Sequence, residues 1–287
     1  MKQFSIVIFF LFTFSSCNGD TVTRVIYSEC SDRKISSSSP YQYNLNSLLT
    51  SLTNSATFTT YANFTASIAS PLYPVSGIYQ CRADLSFSDC ESCVKQAVSQ
   101  LPSLCSSSES ATVQLQGCLL QYGNNSFIGK SDETLRFKRC GSGIESGGFD
   151  PNLMAMRDDL LSALTVQPGF YRSSKAGYID GDAQCVGDQS SKECNDCVKK
   201  TVEYLEKECP SSVSGVVYLG KCYAEYATQD DHQHTYESNS NPSPEHDHGE
   251  QAGKDLAIII GIVAVVILLI FFVAYLRRSV EENQLKS

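Results

Sequence analysis

The chain has no tryptophan, three methionines and four histidines in 287 residues. His232, His234, His246 and His248 all fall within Asp230–Gly249, so the rest of the chain has no imidazole to serve as a general base. Charged residues make up 18%, and acids outnumber bases 31 to 22, which excludes a basic face that neutralises nucleic-acid phosphates. No Gly-rich phosphate loop follows a strand, and neither G-x-S-x-G nor H-E-x-x-H occurs. The residues therefore read as a non-enzyme without cofactor or catalytic site. Long apolar runs are scarce too: there are two, one at each end.

The first run, Phe4–Phe14, is broken only by Ser5 and Thr13, follows Lys2, and gives way to small and polar residues up to Gly19. It is too short to cross a hydrocarbon core and has the pattern of a secretory signal peptide, residues 1–19. The second, Leu256–Leu276, is 21 residues without a charge. As a helix it spans about 31 Å, the thickness of a bilayer core. Arg277 and Arg278 follow at once, so the positive-inside rule puts residues 277–287 in the cytosol and predicts a type I protein. A glycolipid-anchor signal would end at its apolar run, whereas this chain continues through a polar segment to Ser287. Ala257 and Gly261, four apart in the span, would let helix backbones approach, predicting lateral association. Outside the membrane remain 18 basic and 29 acidic residues, so recognition belongs mainly to the exterior.

Against these scarcities stand 13 cysteines. Cys17 leaves with the signal peptide, and the others repeat. From Cys81 the next four lie at +9, +12, +24 and +37, and from Cys185 the same four spacings recur, 104 residues later. Cys30 and Cys140 supply an upstream member to each copy. Six cysteines per copy in a secreted chain predict three disulfides each, with 15 possible connectivities. The copies occupy residues 20–132 and 133–229.

Cys90, Cys93, Val94, Ala97, Val98 and Leu101 recur at helical spacing, as do Cys194, Cys197, Val198, Thr201, Val202 and Leu205, predicting amphipathic helices with two cysteines on the buried stripe. A second helix is predicted in each copy, at Asn44–Ala56 and Asn152–Thr165. The runs TVQLQGCLLQY around Cys118 and VVYLGKCYAEY around Cys222 read as strands with a cysteine in the ladder, and Arg24–Tyr27 and Gly77–Cys81 as short extended pieces. Each copy is then α+β, a small antiparallel sheet with helices on one face.

Cys90-Glu-Ser-Cys93 and Cys194-Asn-Asp-Cys197 match the C-x-x-C of redox or zinc sites, but an oxidising compartment and a full set of partners favour structural disulfides. Residues 230–255 hold the histidines among Pro, Ser, Asn and acids, with few apolar side chains, and read as a disordered stalk with no fixed metal geometry. Asn63-Phe64-Thr65 and Asn124-Asn125-Ser126 are glycosylation sequons, predicting glycans on Asn63 and Asn124 in the first copy.

The repeated C-x8-C-x2-C, CRADLSFSDCESC from Cys81 and CVGDQSSKECNDC from Cys185, resembles the plant cysteine-rich repeat of ginkbilobin and of cysteine-rich receptor-like kinase ectodomains. Two repeats with a signal peptide, one span and a short tail resemble the plasmodesmata-located protein family over almost the whole chain. That resemblance implies two ginkbilobin-like domains with the bridges Cys30–Cys105, Cys81–Cys90, Cys93–Cys118, Cys140–Cys209, Cys185–Cys194 and Cys197–Cys222. It also implies a plasma-membrane protein of plasmodesmata that restricts cell-to-cell movement, promotes callose deposition and takes part in defence signalling. Its implied partners are membrane proteins, including homologues or receptor kinases, cell-wall glycan and viral movement proteins. A carbohydrate-binding antifungal protein and a cell-surface kinase co-receptor are the alternatives. The mannose-binding Asn and Arg of ginkbilobin correspond here to Ser31 and Gly141, and to Thr112 and Val216, so that sugar site is not carried over.

Overall fold

The computed structural model describes residues 21–124, 127–142 and 151–229. The expected signal peptide, stalk, span with Ala257 and Gly261, and tail lie outside the described residues. Among the described residues no helix is long and apolar enough to cross a membrane.

Each copy is a five-stranded antiparallel sheet with two helices on one face. In chain order the first comprises β1 (Val25–Cys30), α1 (Pro40–Ser55), β2 (Tyr61–Ala66), β3 (Val75–Cys81), α2 (Phe87–Leu104), β4 (Ala111–Leu115) and β5 (Cys118–Gly123). The second comprises β6 (Leu135–Cys140), α3 (Pro151–Val166), β7 (Tyr171–Ala176), β8 (Ile179–Cys185), α4 (Ser191–Glu208), β9 (Ser214–Leu219) and β10 (Cys222–Thr228). Strand orders are β1-β4-β5-β3-β2 and β6-β9-β10-β8-β7, the same topology twice.

Local chemistry sets the element bounds. Helix α1 begins four residues before the predicted Asn44, because the Ser39 side chain accepts from the Gln42 N–H and Pro40, with its fixed φ, occupies the first turn. Ser86 caps α2 in the same way, and Ser190 forms a reciprocal capping box with Glu193 on α4. The TVQLQGCLLQY run is not one strand but a hairpin. At Gln116 and Gly117 the backbone leaves the ladder, donating to the carbonyls of Arg24 and Val22, and a Cβ on Gly117 would stand 2.8 Å from that of Val22. Strands β2 and β7 are additions to the sequence reading: YANFTA and YRSSKA are edge strands and lack a buried alternating face.

Leu48, Leu52, Tyr79, Val94, Ala97 and Val113 are fully buried between helices and sheet in the first copy, and Leu160, Leu161, Leu164, Val198, Leu205 and Val217 in the second. Truncating any of these leucines to alanine would cost about 2–5 kcal/mol. The six bridges are Cys30–Cys105, Cys81–Cys90, Cys93–Cys118, Cys140–Cys209, Cys185–Cys194 and Cys197–Cys222. These are the pairs that the family resemblance implies. In each copy all three end on or just beyond one helix, α2 or α4, which is thereby tied to three separate strands.

Candidate functional site

The sequence directs attention first to the cysteines. Neither C-x-x-C pair closes on itself: Cys90 joins the end of β3 and Cys93 joins β5, with their counterparts doing the same in the second copy. Every one of these sulfurs is bonded to a strand cysteine, so no vicinal dithiol is present. Among the described residues no group of three or more His, Cys, Asp or Glu side chains is placed to hold a metal ion.

The positions corresponding to the ginkbilobin sugar site carry neither its carboxamide nor its guanidinium and are engaged otherwise. Ser31 is engaged locally, donating to the Arg33 carbonyl and accepting from the Ser110 N–H. Thr112 faces Glu29 across the β1–β4 ladder. A Cβ on Gly141 would lie 2.1 Å from the Ser214 hydroxyl, and Val216 is buried among Tyr218, Tyr223, Ile26, Tyr27 and Phe137. Asn63 and Asn124 are both exposed. Asn63 donates to the Tyr61 hydroxyl at 2.9 Å and Asn124 to the Glu109 carboxylate at 2.9 Å.

What sequence reasoning missed is the joint between the copies. The sheet faces turned away from the helices pack against each other, and the contacts are reciprocal. Gln80 accepts from the Gly187 N–H at 2.9 Å, and Gln184 accepts from the Ala83 N–H at 3.0 Å; adding 104 to one pair yields the other. The two repeats thus sit like the subunits of an isologous dimer. Alternation on the strands provides the signal: β5 (CLLQYG) and β9 (SGVVYL) carry apolar residues toward both faces, which predicts burial on both.

One half of this joint is apolar, formed by Ile78, Leu119 and Val186 with Tyr61, Phe127 and Ile128 against them. The other half is charged. Arg82 of the first repeat holds Asp84 through two hydrogen bonds, at 2.9 and 3.0 Å, and reaches Glu225 of the second at 3.0 Å. Glu225 and Asp182 are directly opposed in the β8–β10 ladder, and Asp182 accepts from the Tyr223 hydroxyl at 2.6 Å. Burial and the Glu225 carboxylate push the Asp182 carboxyl up to about 7, against the opposing pull of Arg82 and Tyr223. Burial opposes the Arg82 charge, but the hydrogen bonds to Asp84, with the nearby Tyr223, Glu225 and Asp182, outweigh it and raise the guanidinium above its ordinary value. A cavity of about 30 Å³ lies between Gln80, Gln114, Gln184, Arg82, Tyr218 and Tyr223. It has room for a water molecule and none for a sugar ring.

Two copies of one disulfide-braced α+β module, packed face to face, define a tandem cysteine-rich repeat protein. The family model described as salt stress response/antifungal matches residues 16–125 and 139–229. The chain is similar to two crystal structures of tandem DUF26 ectodomains from Arabidopsis thaliana cysteine-rich receptor-like proteins. With PDLP5 it shares 41% identity at a TM-score of 0.67, over 71% of this chain and 99% of that one; with PDLP8, 37% at 0.67, over 72% and 98%. Plasmodesmata-located protein 7 of Arabidopsis thaliana is 42% identical over 88% of this chain and 82% of its own length, and plasmodesmata-located protein 6 is 39% identical over 98% and 96%. The chain belongs to the plasmodesmata-located protein family.

Proposed function

We propose that the chain is a non-enzymatic, receptor-like protein of plasmodesmata, anchored by Leu256–Leu276 in the plasma membrane as a single-pass type I protein and facing the wall with its two repeats. It regulates trafficking between cells by association, the ectodomain with an exterior ligand and the span or tail with membrane partners such as homologues or receptor kinases. Callose-linked closure of the channel, defence signalling and engagement by viral movement proteins are the outputs that this reading assigns to it. The observation that carries the proposal is kinship along almost the entire chain: the match to plasmodesmata-located protein 6 runs over 98% of it, end segments included. The repeats' own side chains leave room for about one water at the joint, which favours recognition on an outer surface over recognition between the repeats.

The test is localisation. A fluorescently tagged chain is expected at punctate, wall-spanning sites, and a second chain with an unrelated span in place of residues 256–276 is expected to lose them. Uniform plasma-membrane signal from the first chain would instead favour a general cell-surface co-receptor.

A further inference from the structure

From Ile35 to Cys81 the chain contains no Asp, Glu, Lys, Arg or His, 47 residues in a protein that averages 18% charged. This stretch supplies α1, β2, β3 and the loop between the two strands, so it covers one side of the first repeat with an uncharged surface. Helix α1 shows how unusual that is. Its exposed positions Tyr43, Asn46, Thr50 and Asn54 fall at i, i+3, i+7 and i+11, one face of the helix, where solvated helices ordinarily carry Lys and Glu. Asn and Thr are also poor helix formers. Its counterpart α3 carries Arg157, Asp158 and Asp159, and α4 is charged along its length.

Aromatic and aliphatic side chains stand out of this face. Tyr43 is 59% exposed at one end of α1 and Phe58 69% just past the other, with Tyr73 and Leu72 exposed on the loop. Residues 67–74 connect β2 to β3, whereas two residues, 177 and 178, make the equivalent turn in the second repeat. The longer loop is moored to α1: the fully buried Asn44 donates to the carbonyls of Ser70 and Tyr73 at 3.1 and 2.8 Å and accepts from the Ala69 N–H at 2.8 Å. All of its amide groups are used, so Tyr73 is held beside the helix end that bears Tyr43. A glycan on Asn63 would not cover this face. Ala62 and Ala66 of β2 pack on the helix-side core, and by strand alternation Asn63 points to the opposite side.

We propose that this face binds an uncharged polysaccharide chain, with Tyr43, Phe58 and Tyr73 as stacking platforms, the Asn46 amide N–H donating to sugar hydroxyls while its oxygen accepts from Gln42, the Thr50 hydroxyl accepting from them while it donates to the Asn46 carbonyl, and Asn54 adding its amide. Sugar rings have apolar faces and hydroxyl edges, which aromatic rings and amide or hydroxyl side chains complement without charge. An acidic polysaccharide would call for Arg or Lys against its carboxylates, and an anionic membrane for a basic cluster; the face has neither. The site is distinct from the positions corresponding to the ginkbilobin mannose site. The proposal deepens the receptor-like reading by naming the exterior ligand, and a binding assay on purified residues 20–229 is independent of where the chain resides. The relatives' ectodomains crystallised as folded units support the use of that fragment.

Affinity electrophoresis through gels containing xyloglucan or glucomannan tests the proposal, with polygalacturonate gels and phosphatidylcholine vesicle flotation as the other arms. Retardation is expected in at least one uncharged gel, unchanged between about 50 mM and about 0.5 M salt, because no ion pair is screened. Y43A and F58A should each weaken it about tenfold while leaving the melting temperature unaltered, and K199A on α4 should bind as the wild type does. Failure of both uncharged polysaccharides to retard the protein, equal retardation by polygalacturonate, flotation with vesicles, or wild-type binding by Y43A and F58A would each overturn the assignment without touching the localisation result.

Discussion

Between pH 5 and 8 the paired repeats should lose stability as pH rises, and Asp182 should account for the loss. Its carboxyl titrates at about 7 in the folded protein against an ordinary 3.8, so between those values the folded state holds a proton that the unfolded chain has released. Stability then declines by about 1.4 kcal/mol per pH unit up to 7 and levels off above, roughly 3 kcal/mol between about pH 5 and 8. The charged or titratable groups facing Asp182 are Glu225 and Tyr223 on β10, Tyr171 on β7, Tyr218 on β9, and Arg82 and Asp84 of the first repeat. The tyrosines are all held above their usual range by burial first and by nearby carboxylates second, so none titrates in this interval. Residues 21–229 contain no histidine. The perturbation is D182N, which keeps an acceptor for the Tyr223 hydroxyl and stands in for the protonated acid. Thermal unfolding of oxidised residues 20–229 should show a wild-type midpoint falling by about 6–12 °C over that range, and a D182N midpoint that stays level and exceeds wild type at the alkaline end. Parallel profiles for the two proteins would refute the reasoning.

The bridges should differ in worth. Replacing Cys30 and Cys105, 75 residues apart, with serine should cost roughly 4.5 kcal/mol in urea unfolding and replacing Cys81 and Cys90, nine apart, roughly 2.6, on the chain-entropy account; equal losses would contradict that account. Q184A should destabilise the paired repeats by about 1 kcal/mol, because it takes the acceptor from the part-buried Ala83 N–H while the Cys81 carbonyl keeps the Gln80 amide, and a loss within error of zero would show that water replaces the side chain. Mass spectrometry of protein secreted from plant cells should find two N-glycans, with N63Q and N124Q each removing one and N63Q leaving the midpoint unchanged, since Asn63 is exposed; an unmodified Asn63 would remove that assignment.

Legibility in the sequence followed the strength of the covalent and periodic signal. Cys90, Cys93, Val94, Ala97 and Leu101 mark α2 because a buried helical stripe must recur at 3.6 residues, and a doubled spacing leaves little freedom in where the second copy lies. The hairpin at Gln116–Gly117 was hidden because its turn is stabilised by carbonyls at residues 22 and 24, far away in sequence. Strands β2 and β7 were hidden because edge strands need bury little. The joint was half legible: Leu119 beside Leu120, and Val216 beside Val217, bury both faces of a strand, but a lone Arg82 and a lone Asp182 carry no periodicity. Burial of those charges became apparent only once two faces met.

Superposing the repeats by 104 residues shows what duplication within one chain permits. Arg82, Asp182, Tyr223 and Glu225 in the charged half of the joint correspond to Val186, Ile78, Leu119 and Gln121 in the other half. A true homodimer would have two identical halves; here one is mainly apolar, with the buried Lys221–Asp188 pair at its margin beside Phe127, and the other holds an arginine among three carboxylates. A buried ion cluster is often less stabilising than apolar packing of similar volume, by about 1–4 kcal/mol, and this one is only half-buried, Asp84 being exposed, which brings the difference to the lower end. The quadruple variant R82V, D182I, Y223L and E225Q would therefore place the other half's side chains at these four positions, with Asp84 left to solvent and Gly117 in the place of Lys221. Phe127 and Ile128 cover only the original apolar half, and the smaller leucine leaves space beside the existing cavity, so the net gain at alkaline pH should lie near the lower end, about 1 kcal/mol, and the pH dependence should vanish. A variant less stable than wild type at about pH 8, or one that keeps the pH slope, would show that the charged half stabilises the joint and that the titrating group lies elsewhere.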